Sequence, residues 1–163
     1  DVCSSDLMDE RVRRQYEVYP YPSRKPEDEA SRLVEGSPSA LAEMTHYVFG
    51  GRLPADTPLK VLVAGGGTGD ATVMLAQQLA DAGIPAQIDY LDLSAASAAI
   101  ARARLEARGL SAVVRFHQGS LLALESVGGL EPPYHYIDCC GVLHHLEDPA
   151  AGLAALARVL AAR

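Results

Sequence analysis

Leu59-Lys60-Val61-Leu62-Val63-Ala64-Gly65-Gly66-Gly67-Thr68-Gly69-Asp70 is the stretch whose reading decides the fold. Its first half is apolar apart from Lys60, the pattern of a strand buried on both faces. Its second half turns through glycines into a helical pattern from Asp70 to Ala82, with Val73, Ala76, Leu79 and Ala80 on one side and Gly83 ending it. Glycines belong in such a turn because a Cβ would block close approach of another group and because some positions require positive φ. A strand-to-helix turn of this kind points backbone N–H groups and the positive end of a helix toward a ligand. The alternative is a tight turn with no ligand.

Strand and helix patterns alternate on the C-terminal side. Ala86 to Leu91 reads as a second strand, Ala95 to Arg108 as a helix stopped by Gly109, Val113 to Phe116 as a third strand, and Tyr134 to Cys140 as a fourth. Gly128 to Pro133 is a loop, and Pro149 opens a final helix. Alternation of this kind predicts an α/β fold, a Rossmann-like doubly wound parallel sheet covered by helices on both faces. On the N-terminal side, Glu10 to Tyr16 suits a short helix. Tyr19-Pro20-Tyr21-Pro22 must be extended, because each proline disfavours the helical region for its predecessor. Ser39 to Phe49 reads as a helix capped by Ser39 and ended by Gly50-Gly51.

The glycines Gly65, Gly67 and Gly69 are spaced Gly-x-Gly-x-Gly, whereas the dinucleotide fingerprint is Gly-x-Gly-x-x-Gly. Starting that fingerprint at Gly65 puts Asp70 on its last glycine, and starting it at Gly67 puts Thr72 there, so an NAD-binding dehydrogenase is the second reading. Asp92 closes the second strand, where a carboxylate faces the crevice beyond the strand ends and can accept both hydroxyls of a ribose. It can equally serve as an N-terminal cap ahead of Ser94 and Ala95.

Composition narrows the classes. The 163 residues suit one domain, and 48 % apolar content is enough to bury a core. No apolar run reaches the roughly 18–20 residues of a membrane span, and the first residues lack a secretory layout, so a cytoplasmic location and no membrane partner are expected. A net charge of −7 argues against nucleic acid as the main partner. The three cysteines have neither disulfide-framework nor zinc spacing and read as small buried residues. Residues 1–7, Asp1-Val2-Cys3-Ser4-Ser5-Asp6-Leu7, resemble the translation of a short-read sequencing adapter and are set apart as an artefact. Residues 8–58 form a leader or lid, and 59–163 the sheet domain. Leu153 to Leu160 is a helical pattern without a stop signal, so the reading frame is expected to be cut at both ends.

Four blocks, taken together, resemble class I S-adenosylmethionine-dependent methyltransferases. They are Val61 to Gly69, Leu91-Asp92-Leu93-Ser94, Phe116 to Leu121, and Tyr136-Ile137-Asp138-Cys139-Cys140-Gly141-Val142-Leu143-His144-His145-Leu146. They stand in the family's order and spacing over roughly residues 59–160. The last block, followed by Asp148-Pro149, discriminates best against dehydrogenases. The Tyr-Pro-Tyr-Pro segment is similar to a leader found in one group of these enzymes.

The resemblance implies that the cofactor is S-adenosyl-L-methionine. It implies cofactor contacts from Gly65, Gly66, Gly67, Thr68 and Gly69, ribose binding by Asp92 with Leu93 beside it, adenine contacts from Ser120 and Leu121, and a sulfonium-facing strand end at Cys140. The implied methyl acceptor is a small molecule or a protein side chain. His144 and His145, at the mouth of the fourth strand, are the catalytic candidates as proton acceptors; the bland alternative packs one on the core and leaves the other solvated. No metal site is expected, since adjacent side chains rarely aim at one ion.

Three departures qualify the match. Val63 stands where many members carry an acid for the cofactor's amino group, and Ser120 where many carry Asp. Four strands are present of an expected seven, which predicts an apolar sheet edge at the fourth strand and raises a third reading, a non-catalytic cofactor-binding fragment. Tyr16, Tyr19 and Tyr21 are expected either to close over the site or simply to pack as a leader.

Overall fold

The structure, a computed structural model, describes residues 4–36 and 38–162. It has four strands: β1 (Leu59–Ala64), β2 (Ala86–Asp92), β3 (Val114–Gln118) and β4 (Tyr136–Asp138). All pairings are parallel, in the order β3-β2-β1-β4. The helices are α1 (Ser4–Val18), α2 (Leu41–Glu43, running on into the π-helical turn Met44–Val48), α3 (Asp70–Asp81), α4 (Ala95–Ala107) and α5 (Pro149–Val159). This is the doubly wound, Rossmann-like α/β architecture the pattern predicts. Strand order reverses between β1 and β4, and the crevice beyond the strand carboxyl ends at such a reversal is where ligands sit.

The strand period of two sorts the core into its layers. Val61 and Val63 of β1 join Val73, Leu75, Leu79, Ala101 and Leu105 of α3 and α4 on one face. Leu62 and Ala64 join Leu91, Leu121, Tyr134 and Leu156 on the other, under α5. Two helices start where side-chain oxygens take up orphan N–H groups. Ser94 Oγ accepts from Ser97 N (3.1 Å), and Asp148 Oδ1 accepts from Ala150 N (2.9 Å) and Ala151 N (3.1 Å).

Several elements differ from expectation. Helix α1 is longer than Glu10 to Tyr16, beginning at Ser4, while the remaining adapter-like residues 1–3 lie outside the described residues. Ser39 does not cap α2; Ala40 holds the cap position, and the fully buried Ser39 hydroxyl donates to the Asp138 carboxylate at the end of β4. A tertiary acceptor outcompetes the local one because Ser39 lies inside, where its hydroxyl must be satisfied. Val113 belongs to a 3₁₀ turn (Ser111–Val113), so β3 starts one residue later and runs to Gln118.

β4 is shorter than Tyr134 to Cys140. Its first turn of chain does other work: Tyr134 pairs in parallel with Leu160, Tyr134 N donating to Val159 O (2.9 Å) and Ala161 N to Tyr134 O (2.8 Å). The final helical pattern therefore does stop, at Val159, and Leu160-Ala161 lie extended against the start of the β4 edge expected to be open.

The leader residues are bound to the sheet domain by buried charge. The Arg104 side chain on α4 is fully buried; its Nε donates to Glu29 (2.6 Å) and its Nη1 to Asp70 Oδ1 (2.7 Å) and to the Thr68 carbonyl (2.8 Å). Arg108 pairs with the other Glu29 oxygen. On the far side of the sheet, Asp89 is buried and accepts from Arg115 (2.8 and 2.9 Å), Tyr134 (2.7 Å) and His117 Nε2 (2.9 Å). Burial alone would raise its pKa, but the hydrogen bonds from Arg115, His117 and Tyr134 outweigh that and hold it below the usual carboxylate value.

Two outcomes follow. Arg104→Met takes one cation from each of the Glu29 and Asp70 carboxylates, leaving them Arg108 and Arg24, and should cost about 3 kcal/mol of unfolding free energy; the double variant Arg104→Met/Glu29→Leu should recover part of the loss in urea titrations. Because the folded-state pKa of Asp89 is depressed, its contribution is present above the ordinary carboxylate range and lost as pH falls through the lowered value. The gap in urea midpoint between the wild type and Asp89→Asn should therefore be wide at pH 7 and close toward pH 2.

Candidate functional site

Beyond the carboxyl ends of β1, β2 and β4 lies a cavity of about 590 Å³. Gly65, Gly66 and Gly67 after β1, Asp92 and Leu93 after β2, Ser120 and Leu121 after β3, and Cys140, His144 and His145 after β4 all line it. Of the candidate site residues, Thr68 and Gly69 do not. Thr68 is fully buried and donates its hydroxyl to Pro22 O (2.6 Å), while its carbonyl holds Arg104. Gly69 faces α4, where a Cβ would lie 2.8 Å from that of Ala101. These two positions serve packing: one ties down the leader, the other lets α3 and α4 approach.

The loop uses its polar groups differently from the expectation of N–H groups offered to a ligand. Gly65 N and Gly66 N donate to Leu91 O (2.7 and 3.1 Å), Gly67 N to Asp92 Oδ2 (2.8 Å), and Gly69 N to Gly66 O (3.0 Å). The Tyr90 hydroxyl donates to Gly67 O (2.6 Å). Asp70, the first residue of α3, places a carboxylate at the helix end where a phosphate would otherwise bind. Hydrogen bonds from Arg24 and Arg104 outweigh its burial and keep its pKa low, so that carboxylate is ionised at neutral pH. A loop so engaged and so charged suits a ligand without phosphates.

Asp92 has the reach required of a diol acceptor. Oδ1 accepts from Ser94 N and Oδ2 from Gly67 N, each at 2.8 Å. Backbone bonds from Ser94, Gly67 and Leu93 still leave part of a carboxylate's roughly four acceptor positions for a ligand. Burial raises the Asp92 pKa against the pull of those backbone bonds, and the neighbouring Glu17 charge adds to the rise. Hydroxyl donors from a ribose would replace the water that burial removes, so the residues present fit an adenosine-bearing cofactor. Asp92 does not cap α4, a role Ser94 takes; its bond from Ser94 N is a local turn just ahead of the helix. Ser120 Oγ accepts from Leu122 N (3.2 Å), which leaves its hydroxyl proton for a ligand. Val63 lines the cavity as an apolar residue.

The leader closes one side. Val12, Tyr16, Tyr21, Pro22 and Arg24 all line the cavity; Tyr19 does not, and is 74 % exposed. Four contacts fasten this strap: Thr68 to Pro22, Arg24 to Asp70 in a two-bond ion pair (2.9 and 2.7 Å), the Glu17 carboxylate on Ala95 N (2.5 Å) and Ala96 N (3.2 Å), and the close approach of Tyr21 O to Gly67. Glu17 also places negative charge at the N-terminus of α4, where the helix dipole favours it. The Tyr16 hydroxyl lies 3.1 Å from His145 Nε2, with the rings edge to face. Burial, then the adjacent His144 ring at 4.0 Å, lowers the His145 pKa and keeps the imidazole neutral. Sequence reasoning missed Arg24, Glu29 and Arg104, because nothing local distinguishes a buried arginine from a solvated one. Among the described residues, no three His, Cys, Asp or Glu side chains gather to hold a metal, and no helix is long and apolar enough to cross a membrane.

The comparisons agree with this geometry. The methyltransferase-domain family matches residues 62–163. An uncharacterized protein of Synechococcus sp. is 35 % identical over 161 residues, covering 96 % of this chain and 35 % of its own length. Highly reducing polyketide synthase 40 of Fusarium pseudograminearum is 38 % identical over 105 residues, 63 % of this chain and 4 % of that protein. The chain thus spans only part of the curated relatives it matches. The crystal structure of the [4+2]-cyclase SpnF superposes with a TM-score of 0.64 at 19 % identity, over 93 % of this chain and 56 % of the cyclase, a likeness of fold. With its glycine loop, β2 carboxylate and parallel sheet in the matched span, the chain belongs to the methyltransferase-domain family and has the class I S-adenosylmethionine methyltransferase fold.

Proposed function

We propose that this protein binds S-adenosylmethionine between the glycine loop and Asp92 and transfers its methyl group to a small, largely apolar acceptor. The observation that carries the reading is the single cavity running from Asp92 to His145 and walled by the leader. Val12, Val34, Pro38, Val142 and Leu146 are among its lining residues, a surface that gains from covering apolar ligand area. A wall fastened by the Arg24–Asp70 pair and the Thr68 hydroxyl encloses a small molecule more readily than it admits a protein side chain on its own backbone. The matched region of a polyketide synthase supports the same class of acceptor.

The bound cofactor would supply an activated methyl group. The chain's own task is alignment, with exclusion of water. Asp92 would fix the ribose, Gly65 to Gly67 would admit the cofactor's backbone-hugging portion, and Ser120 would reach the adenine. Cys140 and Gly141, at the end of β4, would border the reacting centre. In Gly65 and Gly66 the absent Cβ leaves room for Val142 and for the Tyr90 ring respectively, so the cavity wall is itself shaped by these glycines.

Isothermal titration of the full chain with S-adenosylhomocysteine should show binding that Asp92→Ala weakens about a hundredfold, the effect of losing two hydrogen bonds to a charged group; absence of binding to the wild type would remove the proposal. NAD(H) should give no heat. Gly67→Ala needs positive φ (+52°) and places a Cβ 2.9 Å from Tyr21 O. It should loosen the leader, seen as faster proteolysis between α1 and β1 with the sheet domain intact.

A further inference from the structure

We infer that Tyr16 and His145 form a proton relay for the methyl acceptor, with the N-terminal helix supplying the residue that meets the acceptor's hydroxyl. The inference rests on the methyltransferase reading above and names the acceptor chemistry the site is built for: a phenolic or enolic hydroxyl on an apolar small molecule.

The two side chains are 129 residues apart and come from unrelated elements, α1 and the 3₁₀ turn Leu143–His145, yet meet at 3.1 Å on the cavity wall. Protonation states orient the bond. Burial and the charge of Asp92, with Tyr21 adding, raise the Tyr16 pKa, so the phenol keeps its proton. His145 is held neutral by burial and by His144. In the relay the Tyr16 O–H donates and Nε2 accepts, an arrangement that requires the imidazole proton on Nδ1. The groups bearing on the pair are His144 on the same turn, Tyr21 from the leader and Asp92 from the end of β2. Asp92 disfavours a tyrosinate, so Tyr16 passes a proton on without resting as an anion.

The Tyr16 oxygen retains lone pairs and lines the cavity, where an acceptor hydroxyl can donate to it. As that hydroxyl's oxygen bonds to the methyl carbon, the carbon–sulfur bond breaks and its electron pair stays on sulfur. The acceptor's proton moves to the Tyr16 oxygen while the Tyr16 proton moves to His145 Nε2. The imidazolium then loses one proton to water. Transfer through a phenol is nearly level in energy only when the donor's acidity resembles that of tyrosine, about 10, which selects phenols and enols over aliphatic alcohols.

The test begins with ¹⁵N NMR of histidine-labelled full chain. His145 should show the Nδ1–H tautomer, and Tyr16→Phe should shift Nε2 and raise the His145 pKa, because the lost bond favoured the neutral ring. S-adenosylhomocysteine affinity should stay within about threefold, which separates this relay from the cofactor reading: lost binding in the wild type overturns both, whereas retained binding with an Nε2–H tautomer, or with no shift in Tyr16→Phe, overturns the relay alone. In turnover of a series of simple phenols, Tyr16→Phe and His145→Gln should each lower kcat at pH 7 by about a hundredfold and the double variant no further. The loss should vanish for 4-nitrophenol above pH 8, where the acceptor is already ionised; additive losses, or an equal loss for the ionised phenol, would overturn the relay.

Discussion

Much of this structure depends on the burial of one guanidinium. Arg104 sits on the inner side of α4 with no exposed surface; its Nε donates to Glu29 of the leader and its Nη1 to the Thr68 carbonyl of the glycine loop and to Asp70 at the start of α3, while Nη2 is buried without a partner among the described residues. Leaving water costs a charge several kcal/mol, so this side chain is tolerated only where acceptors converge on it. The convergence forces three separate segments into register. A planar fork of fixed donors suits this better than the single ammonium of a lysine, which could not hold three directions at once.

The same charge cluster reaches the site: Asp70 and Arg24 line the cavity, and Arg104 stands behind them. Asp70, held by Arg104 from one side, takes Arg24 from the other, and Arg24 belongs to the leader segment that walls the cavity. The leader is in this way part of the cavity wall and not an appendage to it. Meanwhile the loop's N–H groups are engaged by Leu91 O and by Asp92, so that the loop and the end of β2 brace each other. With Gly65, Gly66, Gly67 and Gly69 N engaged and the Asp70 carboxylate at the start of α3, the loop is poorly suited to a phosphate. This distinguishes the site from nucleotide sites that use the same strand-turn-helix unit.

How legible the molecule was in its sequence varied with the range of the interactions involved. The strands β1 and β2 and the helices α3 and α4 follow from local pattern, since a buried parallel strand must be apolar throughout and a covering helix must repeat at three and four. β4 is shorter at both ends than its apolar pattern predicts, and at the first end the reason is visible: the Tyr134 backbone pairs with Val159 and Ala161 at and just past the end of α5. Ser39 was misread as a cap for the same kind of reason: the residue type is right for a cap, while its partner, Asp138, is 99 positions away. At the cavity, Gly65 and Gly67 follow from the glycine spacing and Asp92 from its place at the end of the second strand, and all three line it. Thr68 and Gly69, in the same run of five, turned out to hold the leader and α4.

By itself, then, the sequence determined the layering of strand and helix, the position of the glycine turn, and the carboxylate that follows β2. Each of these depends on neighbours within one turn or one strand, and local chemistry suffices. Only the tertiary structure decided that the leader walls the cavity, that Arg104 is buried, and that Tyr16 meets His145. Those facts come from long-range burial, in which a charge or a hydroxyl finds a partner because water has been excluded, and no periodicity along the chain records which partner that is.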